Sequence, residues 1–93
     1  MYKEQLSSVE DVVFGLVADE FIRARKFKPF NSEHEGYAVI LEEMDELWDG
    51  IKNNKRTTQL ERMEEAVQIA AMAVKYVTSL ADYETLDNMD LSE

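Results

Sequence analysis

Three short polar signals divide this chain into helical stretches. Ser7 with Glu10, Ser32 with Glu35, and Thr58 with Glu61 each place a hydroxyl three residues before a glutamate. That spacing caps a helix N-terminus reciprocally, side chain to backbone in both directions. Little else interrupts the chain: its 93 residues hold three Gly and one Pro, and no hairpin dipeptide separates alternating apolar residues. The expected fold is all-α, with three long helices and a short C-terminal element in one domain spanning residues 1–93.

The first helix is expected from Ser8 to Lys26. Val9, Val13, Leu16, Val17 and Phe21 recur at helical spacing, and Val12, Phe14 and Ile22 widen the stripe. So broad a face predicts more than one neighbouring helix, with Gly15 and Ala18 allowing close approach. Its plainest role is core scaffold. Pro29 then disfavours α-conformation at Lys28. The second helix is expected from Glu33 to Lys52, with Tyr37, Ile40, Leu41, Met44, Leu47, Trp48 and Ile51 on its apolar side. The third is expected from Gln59 to Leu80, on a stripe of Leu60, Met63, Val67, Ala70, Val74 and Val77. Its Ile69–Val74 segment is apolar nearly all round, and the alanines there suit tight packing. The tail from Asp82 to Glu93 holds five acids and no bases. It is expected to fray or to form a short helix docked through Tyr83, Leu86 and Met89.

Twenty acids against ten bases give a formal net charge of −10. That charge argues against binding nucleic acid, which needs clustered Lys and Arg to displace counterions. It argues equally against an anionic membrane surface. Without cysteine there is no disulfide scaffold, thiolate zinc site or cysteine nucleophile. The apolar run Val12–Ala18 is too short to span a bilayer, and Met1-Tyr2-Lys3-Glu4 does not open a secretory signal. A soluble, cytoplasmic protein is expected. A chain this short buries only about 60% of its unfolded surface, so oligomerisation commonly completes the core.

The position of the acids is more informative than their number. Glu43 and Glu46 stand at i, i+3 and Glu42 and Glu46 at i, i+4, so their carboxylates share one helix surface. Like charges at that spacing destabilise a helix by about 0.2–0.5 kcal/mol per pair. A hard divalent cation reverses the sign, because Mg²⁺ or Mn²⁺ prefers carboxylate oxygens. Glu65 and Gln68 form a second i, i+3 pair of oxygen donors on the third helix. If the two helices pack antiparallel, these pairs face each other. A solvated acidic face is the ordinary reading of a Glu-rich helix. Against it, these acids adjoin Leu47 and Trp48, and the second pair lies at a suitable chain distance. On the residues alone both readings stay open. A di-iron bundle needs Glu-x-x-His from two helices, but Asn31 precedes the only histidine, His34, by three. Zinc hydrolysis lacks His and Cys ligands, and a Ser-His-Asp mechanism lacks a nucleophile elbow.

Glu42-Glu43-x-x-Glu46, then 18 residues, then Glu65-x-x-Gln68 resembles the signature of the MazG-like, all-α nucleoside triphosphate pyrophosphohydrolases. That signature is E-E-x-x-E followed by E-x-x-D. The resemblance covers about residues 8–80 and includes His34-Glu35-Gly36-Tyr37-Ala38 and Glu64-Glu65-Ala66-Val67-Gln68, text similar to a small phage and bacterial branch. It implies a MazG-like helical bundle, completed as a homodimer or homotetramer. It also implies Mg²⁺-dependent cleavage of a (d)NTP to the (d)NMP and pyrophosphate. By motif position Glu43, Glu46, Glu65 and Gln68 would be metal ligands. Glu42 would be a further ligand or the group that orients or deprotonates the attacking water. Gln68 replaces the signature Asp and supplies an oxygen without a charge. This leaves open a normal variant of the branch, a weakened site, or a non-catalytic helical interaction protein.

Substrate contacts are less marked. Lys26, Lys28, Lys52, Lys55, Arg56 and Lys75 are candidate phosphate contacts, though such bases are mostly solvated. Phe27, Phe30, Tyr37 and Trp48 are candidates to stack on a base, though aromatics beside a helix stripe are usually core. Trp48 stands out because it adjoins the acids. His34 reads as a polar residue at a helix start.

Overall fold

A computed structural model describes residues 5–92. The Met1–Glu4 start, expected to carry no secretory pattern, and Glu93 of the acidic tail lie outside the described residues. Four helices follow in order: α1 (Ser8–Ala24), α2 (Glu33–Lys52), α3 (Gln59–Leu80) and α4 (Tyr83–Asp87). No strand occurs among the described residues, and no helix there is long and apolar enough to cross a membrane.

The caps set the helix starts where the sequence places them. At α1, Ser7 N–H donates to Glu10 Oε1 (2.8 Å), and Glu10 N–H donates to Ser7 Oγ (3.2 Å). Thr58 and Glu61 make the same reciprocal pair at α3, at 2.9 and 3.0 Å. The expected box at α2 is only half formed. Ser32 Oγ accepts from Glu35 N–H, but the Glu35 carboxylate accepts from Asn31 N–H (2.9 Å), one residue earlier. The Asn31 side-chain amide offers that carboxylate a second donor, which favours the shifted partner. α1 ends at Ala24 rather than Lys26. Phe27 N–H donates to the Ala24 carbonyl at 3.1 Å, closing the helix in a tight turn just before Pro29.

α3 is the central element: α2 packs along one side of it and α1 along another, while α1 and α2 make no close backbone approach. The α2–α3 pair is fastened at both ends. At one end Phe30 is buried, its N–H donates to Ser79 Oγ (3.0 Å), and Lys75 Nζ lies 4.7 Å from its ring centroid. Gly36 is also buried there, and a Cβ on it would meet Tyr76 Cδ2 at 2.6 Å and Phe30 Cδ2 at 3.1 Å. Tyr76 OH donates to Glu33 Oε1 at 2.9 Å. At the other end Arg62 Nη1 donates to the Thr57 carbonyl (3.0 Å) and Oγ1 (2.8 Å). Thr57 Oγ1 in turn donates to the Gly50 carbonyl (2.8 Å). The fourteen steps along α2 from Gly36 to Gly50 are thus matched by fourteen along α3 from Tyr76 back to Arg62. The packing is antiparallel and in constant register.

The core within one chain is small. Among the described residues only Phe30, Ala71 and Gly36 are buried, and Ala71 alone reaches 0% exposure. The tight packing expected at the alanines of Ile69–Val74 holds fully only at Ala71: Ala70 is half-buried and Ala73 is exposed. The accessible surface is 8038 Å² for 10.8 kDa, where a compact monomer of that mass exposes about 5,500 Å². The radius of gyration is 15.0 Å, against about 12 Å for a compact chain of this length. The stripe on α1 is largely exposed, so this helix is scaffold on one side only. Gly15 allows no close approach, because nothing lies within 4 Å of where its Cβ would stand. The tail does form a short helix, α4, but it packs on none of the other three, and Tyr83 is 87% exposed. Its acids favour water over docking.

The two glycines should therefore respond oppositely to alanine. Gly36→Ala overpacks the Tyr76 contact, at about 1–3 kcal/mol, less about 1 kcal/mol of helix propensity, so net destabilisation is expected. Gly15→Ala gains about 0.5–1 kcal/mol of propensity with no clash. Urea midpoints at unchanged slope measure both; a stabilised Gly36→Ala would contradict the close approach.

Candidate metal centre

The antiparallel register brings the two acidic pairs together. Glu43 and Glu46 lie one turn apart on α2, facing Glu65 and Gln68 one turn apart on α3. One carboxylate oxygen from each of Glu43, Glu46 and Glu65 lies within 4.8 Å of the other two. Glu43 and Glu65 are half-buried, and Glu46 is exposed. Oxygens on one octahedral Mg²⁺ stand about 3 Å apart when adjacent and about 4 Å when opposite. Small rotamer adjustments would bring the three onto one ion, and hard oxygen donors fit Mg²⁺ or Mn²⁺.

Gln68 sits inside this group. With its amide NH₂ turned toward the acids, Nε2 donates to Glu43 Oε2 at 3.2 Å and to Glu65 Oε1 at 3.0 Å. The amide has only to turn over to present its oxygen to a cation instead. Partial burial first, then the charges of Glu43 and Glu46, push the Glu65 carboxyl up to about 7. Glu43 is raised as well, by burial and then by Glu46. The site therefore concentrates negative charge, which a proton, an amide donor or a divalent cation can relieve.

The other sequence candidates lie around this group or away from it. Glu42 is exposed on α2, outside the group of three but close enough for its charge to act on Glu43. Trp48 is 55% exposed and lines a separate apolar groove with Met44, Ile51 and Ile69. Lys52 Nζ lies 5.5 Å from its ring centroid and is paired with Asp49 at 3.4 Å. Lys75 lies over Phe30, at the Gly36–Tyr76 end of the helix pair rather than in the acidic cleft. Lys26, Lys28, Lys55 and Arg56 are exposed, as are Phe27, Tyr37 and His34.

Two residues reach the site without having been singled out in the sequence. Arg62 is the one base lining the acidic cleft of about 300 Å³ that includes Glu46, Glu61, Glu64, Glu65 and Gln68. Its place one turn before Glu65 was the available signal. Glu20 on α1 adds a further negative charge acting on Glu43, and Arg23 pairs with it at 2.8 Å. Only the packing of α1 on α3 reveals it. Comparison with protein-family models, curated proteins and solved structures finds no match to this chain.

The Glu65 shift fixes the sign of a pH effect. A carboxyl raised on folding from 4.5 to about 7 stabilises the fold fully below 4.5, and that contribution is lost as pH rises through about 7. A cation competes with the same proton, so its stabilisation grows over the same interval. Thermal melts at pH 6 and pH 8 should show a larger Mg²⁺-induced rise at pH 8. Glu65→Gln should flatten the pH dependence without metal and remove most of the Mg²⁺ effect. A Mg²⁺ shift of equal size at both pH values would contradict this.

Proposed function

We propose that the protein is a Mg²⁺-dependent nucleotide pyrophosphohydrolase with a MazG-like helical bundle, cleaving a (d)NTP to the (d)NMP and pyrophosphate. The observation that carries this reading is the convergence of Glu43, Glu46 and Glu65 from two helices within 4.8 Å, at the motif positions of the resemblance. Mn²⁺ fits the same donors. A triphosphate is repelled by such a cluster unless divalent cation neutralises both, and the bound ion would also polarise the phosphoryl group.

The chain's own groups would then divide the work. Glu43, Glu46 and Glu65 hold the cation, with Gln68 adding a neutral oxygen after its amide turns. Glu42, beside them and open to solvent, orients or deprotonates the attacking water. Arg62 offers the cleft a positive charge to a phosphate, although two of its hydrogen bonds already hold Thr57. Trp48 and Lys75 remain the weaker substrate candidates, since neither lines the acidic cleft. The reading includes a cytoplasmic homo-oligomer, supported by the apolar surface that one chain leaves open.

A second reading, a non-catalytic helical interaction protein with a degenerate metal site, is favoured by one observation. Gln68 donates to two of the three carboxylates and so relieves their repulsion without any metal. The two readings separate in one assay. A panel of NTPs and dNTPs with Mg²⁺ or Mn²⁺ should release pyrophosphate, and Glu43→Ala or Glu46→Ala should lower the rate by at least about 100-fold. No release from any nucleotide would overturn the hydrolase reading. Activity gained only in Gln68→Asp would mark a decayed site.

A further inference from the structure

α2 carries an exposed apolar seam that this chain does not cover. Tyr37, Leu41, Met44, Trp48 and Ile51 recur at steps of four and three residues, the spacing by which paired helices pack. All five are exposed, Tyr37 at 64% and Trp48 at 55%, while Ile40 and Leu47 beside them are half-buried. α1 packs only on α3, and α4 on none of the helices, so α3 is the only helical neighbour of α2. Toward its C-terminal half the seam deepens into a groove of about 400 Å³, formed by Met44, Leu47, Trp48 and Ile51 with Ala66 and Ile69 of α3.

We propose that this seam docks a basic amphipathic helix of a partner protein, its apolar side chains entering the groove and a row of Lys or Arg lying beside them. Charge specifies the partner. Glu42, Asp45 and Asp49 each follow a seam residue by one position, so they line a single flank about 100° round the helix. All three are exposed, and Glu42 and Asp45 make no ion pair among the described residues. Lys52, the only lysine or arginine of α2, pairs with Asp49 at 3.4 Å. Its Nζ also stands 5.5 Å from the Trp48 ring centroid, so the acid row and the indole face both draw a cation. Bases on a partner helix extend that pattern to Asp45 and Glu42. The seam from Tyr37 to Ile51 rises about 21 Å, which a partner helix of about four turns covers.

Other occupants fit the charge less well. The α2 of a second copy brings seven acids and one lysine, so it has no basic row to set against this acid row. Anionic lipid and nucleic acid meet the same repulsion. None of the five seam residues lines the acidic cleft. The docking face therefore does not rest on the hydrolase reading and holds equally for an inert site.

Trp48 is the only tryptophan of the chain, so its fluorescence reports this face alone. The probe is a synthetic helical peptide of about five turns, free of tryptophan, with Leu at both seam positions of each heptad and Lys at the flanking ones. It should shift the Trp48 emission to the blue saturably, one peptide per chain. A Kd of about 1–100 µM is expected for a contact at the small end of interface sizes. Met44→Glu should weaken binding at least about tenfold, while Val12→Glu, on α1, leaves it within about twofold. Asp45→Lys combined with Asp49→Lys should reverse the preference, toward the same peptide with Glu in place of Lys. No shift up to about 500 µM peptide would overturn the proposal. So would equal binding of a scrambled peptide of the same charge, equal weakening by Met44→Glu and Val12→Glu, or an unreversed preference in the double variant. A free protein with the mass of two or more chains, in which acrylamide cannot reach Trp48, would assign the seam to a second copy and overturn it too.

Discussion

The missing side chain at Gly36 lets the ring of Tyr76 lie where a Cβ would meet it at 2.6 Å, and this approach governs how α2 lies on α3. Phe30 closes over the same point, and Arg62 with Thr57 fastens the far end. Between these two fixed ends the register is constant, so Glu43 and Glu46 have no choice but to face Glu65 and Gln68. A slip of one residue would rotate each acid by about 100° and separate them. The convergence of these acids is thus a consequence of packing several turns away from it.

That arrangement opposes its own stability. Partial burial, and then the nearby charges of Glu43 and Glu46, raise the Glu65 carboxyl to about 7, and no lysine or arginine side chain forms a direct ion pair with any of the three among the described residues. A chain selected for stability alone would place Lys at one of these positions. Concentrated like charge at a fixed geometry is what a cation site requires. Gln68 serves either outcome, since one end of its amide donates to carboxylates and the other can ligate a cation.

Much of this was legible in the sequence, and the limits have physical reasons. Capping hydroxyls report helix starts because they act locally, so Ser7, Ser32 and Thr58 mark them well. The i, i+3 acids read correctly because one helix turn fixes their spacing, and the antiparallel facing of the two pairs was the condition that made them converge. Periodicity shows which side of a helix is apolar but not whether this chain supplies its cover. For that reason the α1 stripe reads as core yet stands largely exposed, and Gly15 reads as a close approach yet meets open space. Glu20 and Arg62 escaped notice because their link to the site runs through packing rather than through a motif. The α4 segment, Tyr83–Asp87, has the apolar residues to dock but carries no base to offset its acids, and it stays apart.

The central proposal is that Glu43, Glu46 and Glu65, drawn from two helices, hold a divalent cation. Titration of the protein with Mn²⁺, followed by the electron paramagnetic resonance of the free ion, tests it without any assumption about substrate. A saturable site that binds stoichiometrically to the chain, and weakens by at least about tenfold in Glu46→Gln and in Glu65→Gln, is the expected result. Free Mn²⁺ undiminished up to millimolar concentrations, or binding indifferent to both substitutions, would contradict it.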